Sequence, residues 1–184
     1  MDFVISDMHF DHTNIIKYDN RPFTDVQQMN DKMVDNWNGV VRPKDKVYHI
    51  GDFAMGFNKA HVLHYLGLLN GTIVFIRGNH DGILDKILPG ELLDVKMVKY
   101  NKRKFWLSHY QHAVWPDQHR GAIHIFGHSH GRQDFEFLKA FDACANSNNY
   151  TPVSLDKVAE VIDARCALLA VKNASNDKRN QTGG

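Results

Sequence analysis

The chain has 184 residues, 43% of them hydrophobic and 23% charged, which suits one globular domain with a substantial core. With 22 basic and 21 acidic residues the net charge is +1, so no global field favours nucleic acid or an anionic membrane, and only local patches can. Two cysteines, Cys144 and Cys166, exclude a disulfide framework and a thiolate zinc cluster; without a leader-like start or a span-length apolar run, a soluble cytoplasmic protein with no membrane partner is expected.

Phe3 to Ser6 reads as a short buried strand that runs into Asp7-Met8-His9. On extended backbone Asp7 and His9, two residues apart, project to one side, the geometry two ligands of one metal need; a plain Asx turn is the simpler alternative. Thr24 to Val40 is the clearest helix, with Val26, Met29, Met33, Trp37 and Val40 at three- and four-residue steps and Thr24 and Gln27 as a capping box. Lys46 to Ile50 is a second strand, ending at Gly51-Asp52. Asn58 caps a helix from Lys59 to Leu69, stopped by Gly71.

Thr72 to Ile76 is a third strand and ends at Gly78-Asn79-His80-Asp81. On extended backbone Asn79 and His80 would point to opposite sides, one toward a metal and the other toward a substrate, although Gly-Asn is also ordinary turn chemistry. Ile83 to Leu88 suits a short helix. Val95 to Tyr100 and Lys104 to Ser108 form a hairpin ending at His109. That hairpin carries Lys96, Lys99, Lys102, Arg103 and Lys104, which read as a lysine-guarded edge or, alternatively, as a nucleic-acid contact.

Ala122 to Phe126 is a further strand, ending Gly127-His128-Ser129-His130, where two histidines one residue apart can again face one way. A late strand is expected over Asp134 to Ala143, a helix capped by Ser154 up to Asp163, and a final strand over Arg165 to Val171. Residues 1–172 then form one domain, and the polar run 173–184 a flexible tail. Histidine is abundant, 12 copies scattered along the chain, roughly three times ordinary usage, which suggests metal ligation or acid–base work.

Five strand ends thus terminate in Asp7 and His9, Asp52, Asn79, His109, and His128 and His130. If a layered α/β fold gathers them on one edge, seven nitrogen and oxygen donors are too many for one zinc site; they suit two divalent ions about 3.5–4 Å apart. The ordered set Asp7-x-His9, Gly51-Asp52, Gly78-Asn79-His80-Asp81, His109 and Gly127-His128-Ser129-His130 resembles the calcineurin-like metallophosphoesterase superfamily over residues 6 to about 130. The resemblance implies an α/β, four-layer αββα sandwich, with two mixed β-sheets flanked by helices, around a dinuclear centre. It implies Asp7, His9 and His130 on one ion, Asn79, His109 and His128 on the other, and Asp52 bridging. His80 falls on the family's non-ligand histidine, a general acid toward the leaving oxygen, with Asp81 orienting its ring.

The implied activity is metal-dependent phosphoester hydrolysis, in which a hydroxide bridging the ions attacks phosphorus. Mn²⁺ is the first choice of ion, with Fe²⁺, Zn²⁺ or Ni²⁺ as alternatives. After Gly51-Asp52 the chain continues Phe53-Ala54-Met55-Gly56, without the arginine of the superfamily's protein phosphatases, which argues against phosphoprotein substrates. Phe10-Asp11-His12-Thr13-Asn14 and Arg21-Pro22-Phe23 resemble small prokaryotic and phage-type members, so His12, Asn14 and Arg21 are candidate substrate contacts, or else local turn and capping residues. The expected substrate is a phosphodiester or a nucleotide-type small molecule. A nuclease, and a binding scaffold on the same fold like the retromer subunit, are the alternatives. His49, His61, His64, His112, His119 and His124 match no motif position.

Overall fold

Period-two burial along the first three strands sets the architecture of the computed structural model, which describes residues 1–55, 58–132 and 139–181, with side chains through residue 175. In β1 (Asp2–Ile5), β2 (Lys46–Ile50) and β3 (Thr72–Ile76), alternate residues enter two different cores. Phe3, Ile5, Val47 and Phe75 face a layer of helices; Val4, Tyr48, Ile50 and Ile76 face a second sheet. The three strands are parallel in the order β3-β2-β1, and β8 (Val153–Ser154) closes that sheet antiparallel to β1.

The second sheet has the order β4-β5-β6-β7, from Val95–Tyr100, Arg103–Ser108, Ile123–Phe126 and Ala140–Asp142. Phe105, Leu107, Ile123, Ile125 and Phe141 face the first sheet, and Trp106 and Phe126 face outward onto Trp115. Two mixed four-stranded sheets flanked by helices is therefore the observed α/β fold, as expected. The hairpin is tighter than expected: Asn101 and Lys102, both at positive φ, form a two-residue loop, so Arg103 belongs to the strand. Its strand β4 is a sheet edge, and two of its basic residues are in ion pairs, Arg103 with Asp163 and Lys104 with Asp117.

The helices α1 (Ile15–Tyr18), α2 (Val26–Val40), α3 (Lys59–Leu68) and α4 (Gly82–Ile87) lie in chain order before the hairpin. The predicted stripe of α2 is its buried face, through Met29, Met33 and Trp37. Its cap lies one residue later than predicted: Asp25 accepts the Gln28 N–H at 2.8 Å, while the Gln28 side chain reaches back to the Thr24 N–H at 2.7 Å. Asp25 and Gln28 thus stand at the N-cap and N3 positions of a capping box, with the Gln28 side chain bonding the amide one residue before the cap.

The last element departs most from expectation. No strand forms over 165–171; one helix, α5, runs from Leu155 to Gln181 and carries most of the stretch expected to be a tail. Ser154 does cap it, accepting from Lys157 N at 3.2 Å. Leu155, Val158, Ala159 and Ile162 join the core between the sheets. The run Ala-Arg-Cys-Ala-Leu-Leu-Ala-Val that follows contains no breaker and is rich in strong helix formers, so a helix once nucleated continues. A short apolar run cannot distinguish the two states by periodicity. Of the expected late strand, 134–138 lie outside the described residues and Ala140–Asp142 is β7. No helix among the described residues is long and apolar enough to cross a membrane.

Trp37 ties α2 to the loop before β3, being fully buried and donating from Nε1 to the Asn70 carbonyl at 2.9 Å. Trp37→Ala should destabilise the fold by about 3–5 kcal/mol, read as a lower urea midpoint at unchanged m-value.

Candidate metal centre

Because β1, β2 and β3 are parallel, their C-terminal ends open on one edge, and β5 and β6 deliver theirs beside it. Asp7 and His9 leave β1, Asp52 leaves β2, Asn79 leaves β3, His109 leaves β5, and His128 and His130 leave β6. Two groups result, Asp7 with His9 and His130, and Asp52 with His109 and His128, each with ligand atoms within 4.8 Å of one another. Each group draws on both sheets. Asp52 lies between them: its Oδ2 is 3.6 Å from His9 Nε2 and 3.6 Å from His109 Nε2, while its Oδ1 accepts the His80 N–H at 2.8 Å.

The groups form by a route different from the expected pleat. Asp7, His9, Asp52, His128 and His130 all have positive φ, between 50° and 66°. Left-handed turns, not extended alternation, aim these side chains, each at a strain of about 1–3 kcal/mol for a non-glycine residue. His128 and His130 accordingly face different groups although they are one residue apart. Asn79 and His80 lie in a turn, both exposed.

Three interactions hold the turns. Buried Asp81 accepts from Asp52 N at 2.9 Å, Phe53 N at 2.9 Å and Gly78 N at 2.7 Å, tying the exits of β2 and β3 together. Both of its oxygens are thus spent on backbone, which corrects its expected role of orienting His80. Gly78 permits this approach, since a Cβ there would collide with Asp52 Oδ1 and Asp52 N. Arg21 is the second clamp: only 4% exposed, it donates to the carbonyls of Asp7 and Met8 at 2.8 Å each. Its expected substrate contact is therefore corrected to an internal one. The third is Asp7, whose carboxylate accepts from His128 N at 3.0 Å and from Cys144 Sγ at 3.0 Å.

Electrostatics follow from burial and these contacts. Burial alone would raise the Asp7 carboxyl, but the His130 hydrogen bond and the charges of His109 and His130 hold it well below the carboxylate range. Burial pushes Asp52 up to about 6 against the pull of His109. Burial also brings His9 down to about 2 against Asp7, so its approach to Asp52 is not an ion pair. For His130, hydrogen bonds to Asp19 and Asp7 outweigh burial and lift the imidazole to about 9. Cys144 is held protonated well above its ordinary range, chiefly by burial, and it donates to Asp7.

The donors fit divalent ions on two observations. Both ring nitrogens of buried His9 lack a hydrogen-bond partner among the described residues. His109 Nδ1 faces the Ile50 carbonyl at 2.9 Å, which directs its Nε2 lone pair toward Asn79 Oδ1, also 2.9 Å away. Two acceptors at that distance require a cation or a proton between them.

A cavity of about 670 Å³ opens over the centre, lined in part by His9, His12, Asn14, Asn79, His80 and Arg132. His12 and Asn14 are thus on its wall. Two contributors escaped the sequence reading. Asp19 binds His130 Nδ1 and accepts from Arg132 at 2.8 Å, and Arg132 also donates to the Tyr18 carbonyl at 2.9 Å. Arg132 had one available signal, its position two residues after His130; Asp19 had none. The remaining histidines serve elsewhere: His49 is buried against Phe53 and Phe75, and His124 is bonded to Trp106 O and His112 N.

No family model matches the chain. It is 42% identical over 168 residues to the uncharacterized protein MJ1445 of Methanocaldococcus jannaschii, covering 88% of this chain and 90% of that one. Among solved structures it is similar to a protein of unknown function, AQ665 from Aquifex aeolicus, at a TM-score of 0.69 and 26% identity over 88% of this chain and 98% of that one. A novel archaeal phosphodiesterase aligns at a TM-score of 0.44 and 24% identity, over 78% and 81% of the two chains. Five motifs in order, on two facing sheets, close into two adjoining donor groups with Asp52 between them. The chain belongs to the same family as MJ1445.

Within this fold, Asp19 holds the His130 ring and Arg21 holds the Asp7 and Met8 carbonyls. Asp19→Asn should weaken divalent-ion binding about 10- to 100-fold, read by metal titration. Ligation needs neutral imidazole and ionised carboxylate, so ions must displace protons from His130 and, below about pH 6, from Asp52. Apparent metal affinity should therefore rise from pH 6 to 9, with close to one proton released per protein at pH 7.5, measured by calorimetry in buffers of different ionisation enthalpy. In the metal-free protein the raised His130 contributes stability that is complete below pH 6.5 and lost as pH rises through about 9. Arg21→Ala should lower stability by about 3 kcal/mol, the loss of two charge-assisted bonds, together with ion affinity; a higher KM at unchanged melting temperature would instead indicate substrate contact.

Proposed function

We propose that this protein is a metal-dependent phosphoesterase acting on phosphodiesters or nucleotide-type small molecules. One observation carries the reading: Asp52 Oδ2 is equidistant, at 3.6 Å, from histidines of two separate donor groups at the floor of an open cavity. Asp7, His9 and His130 would hold one ion, Asp52 would face both, and His109, His128 and the Asn79 carbonyl oxygen would hold the other. Bound divalent ions supply Lewis acidity toward phosphoryl oxygens and lower the pKa of water. Mn²⁺ is our first choice, with Fe²⁺, Zn²⁺ and Ni²⁺ as alternatives, since the donors are nitrogen and oxygen without thiolate.

The chain's own residues do the rest. His80 stands exposed at the cavity, its ring 5.5 Å from that of His9, and its main chain is fixed through Asp52. In this position it can hydrogen-bond a phosphoryl oxygen and hand a proton to the departing alkoxide. Arg132, with Asp19 on one face of its guanidinium, offers remaining donors to an anionic substrate. His12 and Asn14 line the same wall.

Turnover of bis(p-nitrophenyl) phosphate by Mn²⁺-loaded protein should disappear on chelation and return when metal is restored. His80→Ala should lower kcat by about 10²–10⁴-fold while leaving metal stoichiometry near wild type. Loss of metal together with turnover would overturn the role of His80, and no turnover across a panel of mono- and diesters would overturn the phosphoesterase reading.

A further inference from the structure

The chain has six tyrosines, and four of them have structural work. Tyr48 bonds Asp2, Tyr65 bonds Asp11 and Asn30, Tyr100 bonds Asp156, and Tyr150 packs edge-on to Phe23. The other two, Tyr18 at 64% and Tyr110 at 51%, are the exposed large aromatic side chains among the described residues. Both border the candidate centre, each beside a different donor group. Tyr18 meets His12 edge to face at 6.1 Å, and His12 in turn contacts His9 of the first donor group. Tyr110 meets His128 at 4.6 Å and His109 at 5.2 Å, both in the second group.

Each ring also borders a space. Tyr18 lines the cavity over the centre. Tyr110 lines a second cavity of about 350 Å³, within the range that small ligands occupy, together with Val95, Gly78 and His112. Among the described residues Asn79 alone lines both, so the two cavities meet at a candidate metal ligand. Leaving two large aromatic rings half in water gives up burial that the other tyrosines obtain. Their common property is adjacency to the reacting centre, one on each flank, which is the arrangement that binds flat groups on both sides of a central phosphate.

We propose that Tyr18 and Tyr110 are stacking platforms for the two organic arms of a phosphodiester whose arms both carry planar bases, a dinucleotide-type substrate. The proposal rests on the phosphoesterase reading for the placement of the phosphate, and it goes further in assigning both arms. Each tyrosine then contributes to affinity and to the choice between substrates, and neither hydroxyl is required.

The test uses the full chain loaded with Mn²⁺ and dithymidine phosphorothioate, a slowly cleaved diester, with binding measured by calorimetry. Tyr18→Ala and Tyr110→Ala should each raise its Kd about tenfold, the order expected for losing one base stack, whereas Tyr18→Phe and Tyr110→Phe should stay close to wild type. Turnover gives a second reading: the kcat/KM ratio of thymidine 5′-p-nitrophenyl phosphate over methyl p-nitrophenyl phosphate should fall about tenfold in at least one alanine variant. An alanine variant that binds the dinucleotide as tightly as wild type overturns the two-platform substrate, as does a wild type with no affinity for it. Dinucleotide binding that depends on both rings without any turnover would overturn the phosphoesterase reading, and with it the dinucleotide as substrate, while the two rings would keep their role as stacking platforms for a bound dinucleotide.

Discussion

The centre depends on one buried carboxylate that is not itself a ligand. Asp81 gathers the backbone amides of Asp52, Phe53 and Gly78, and so joins the exits of two neighbouring parallel strands into one rigid corner. Only with that corner fixed can Asp52 present one oxygen to the His80 N–H and the other to both His9 and His109. The arrangement uses backbone hydrogen bonds to a side-chain carboxyl in a dry setting, where each is worth more than it would be in water. Gly78 is the steric condition for it, because any side chain would occupy the space that Asp52 fills.

A second constraint is backbone strain. Five of the seven donor residues lie in left-handed conformation, which non-glycine residues seldom adopt. Arg21 and Asp7 show how the surroundings enforce it: the guanidinium binds the Asp7 and Met8 carbonyls, and the Asp7 carboxylate binds the His128 amide across the sheets. The turns are therefore held by charges inside the protein, ahead of any ligand. Such preorganisation favours tight ion geometry and removes the need for loop movement on binding.

Much of this was legible in the sequence, and the failures have physical causes. Short apolar strands each followed by Asp, Asn or His were visible as one-dimensional events, and parallel pairing turned them into one edge. The choice of partner for His128 and His130 followed from the resemblance and not from alternation, since alternation assumes extended backbone and these residues are left-handed. Arg21 and Asp81 were read as functional because charge near a motif suggests chemistry; burial, which the motif does not reveal, converted both to supports. Asp19 belongs to none of the five motifs and is tied to His130 only by the tertiary fold. The stretch 165–171 failed because seven apolar-rich residues satisfy strand and helix alike, and the helix already begun at Leu155 decided the matter.

Each donor group takes members from both sheets, and the space beneath them is a close-packed apolar seam of Val4, Ile50, Ile76, Phe105, Leu107 and Ile125. Interiors of that density transmit displacement with little loss. The sheets therefore act as the two jaws of a calliper, and the two donor groups measure their spacing. Methyl groups deep in the seam set the bite of a centre they never touch, so the tuning of this chemistry is distributed through side chains that carry no polar atom.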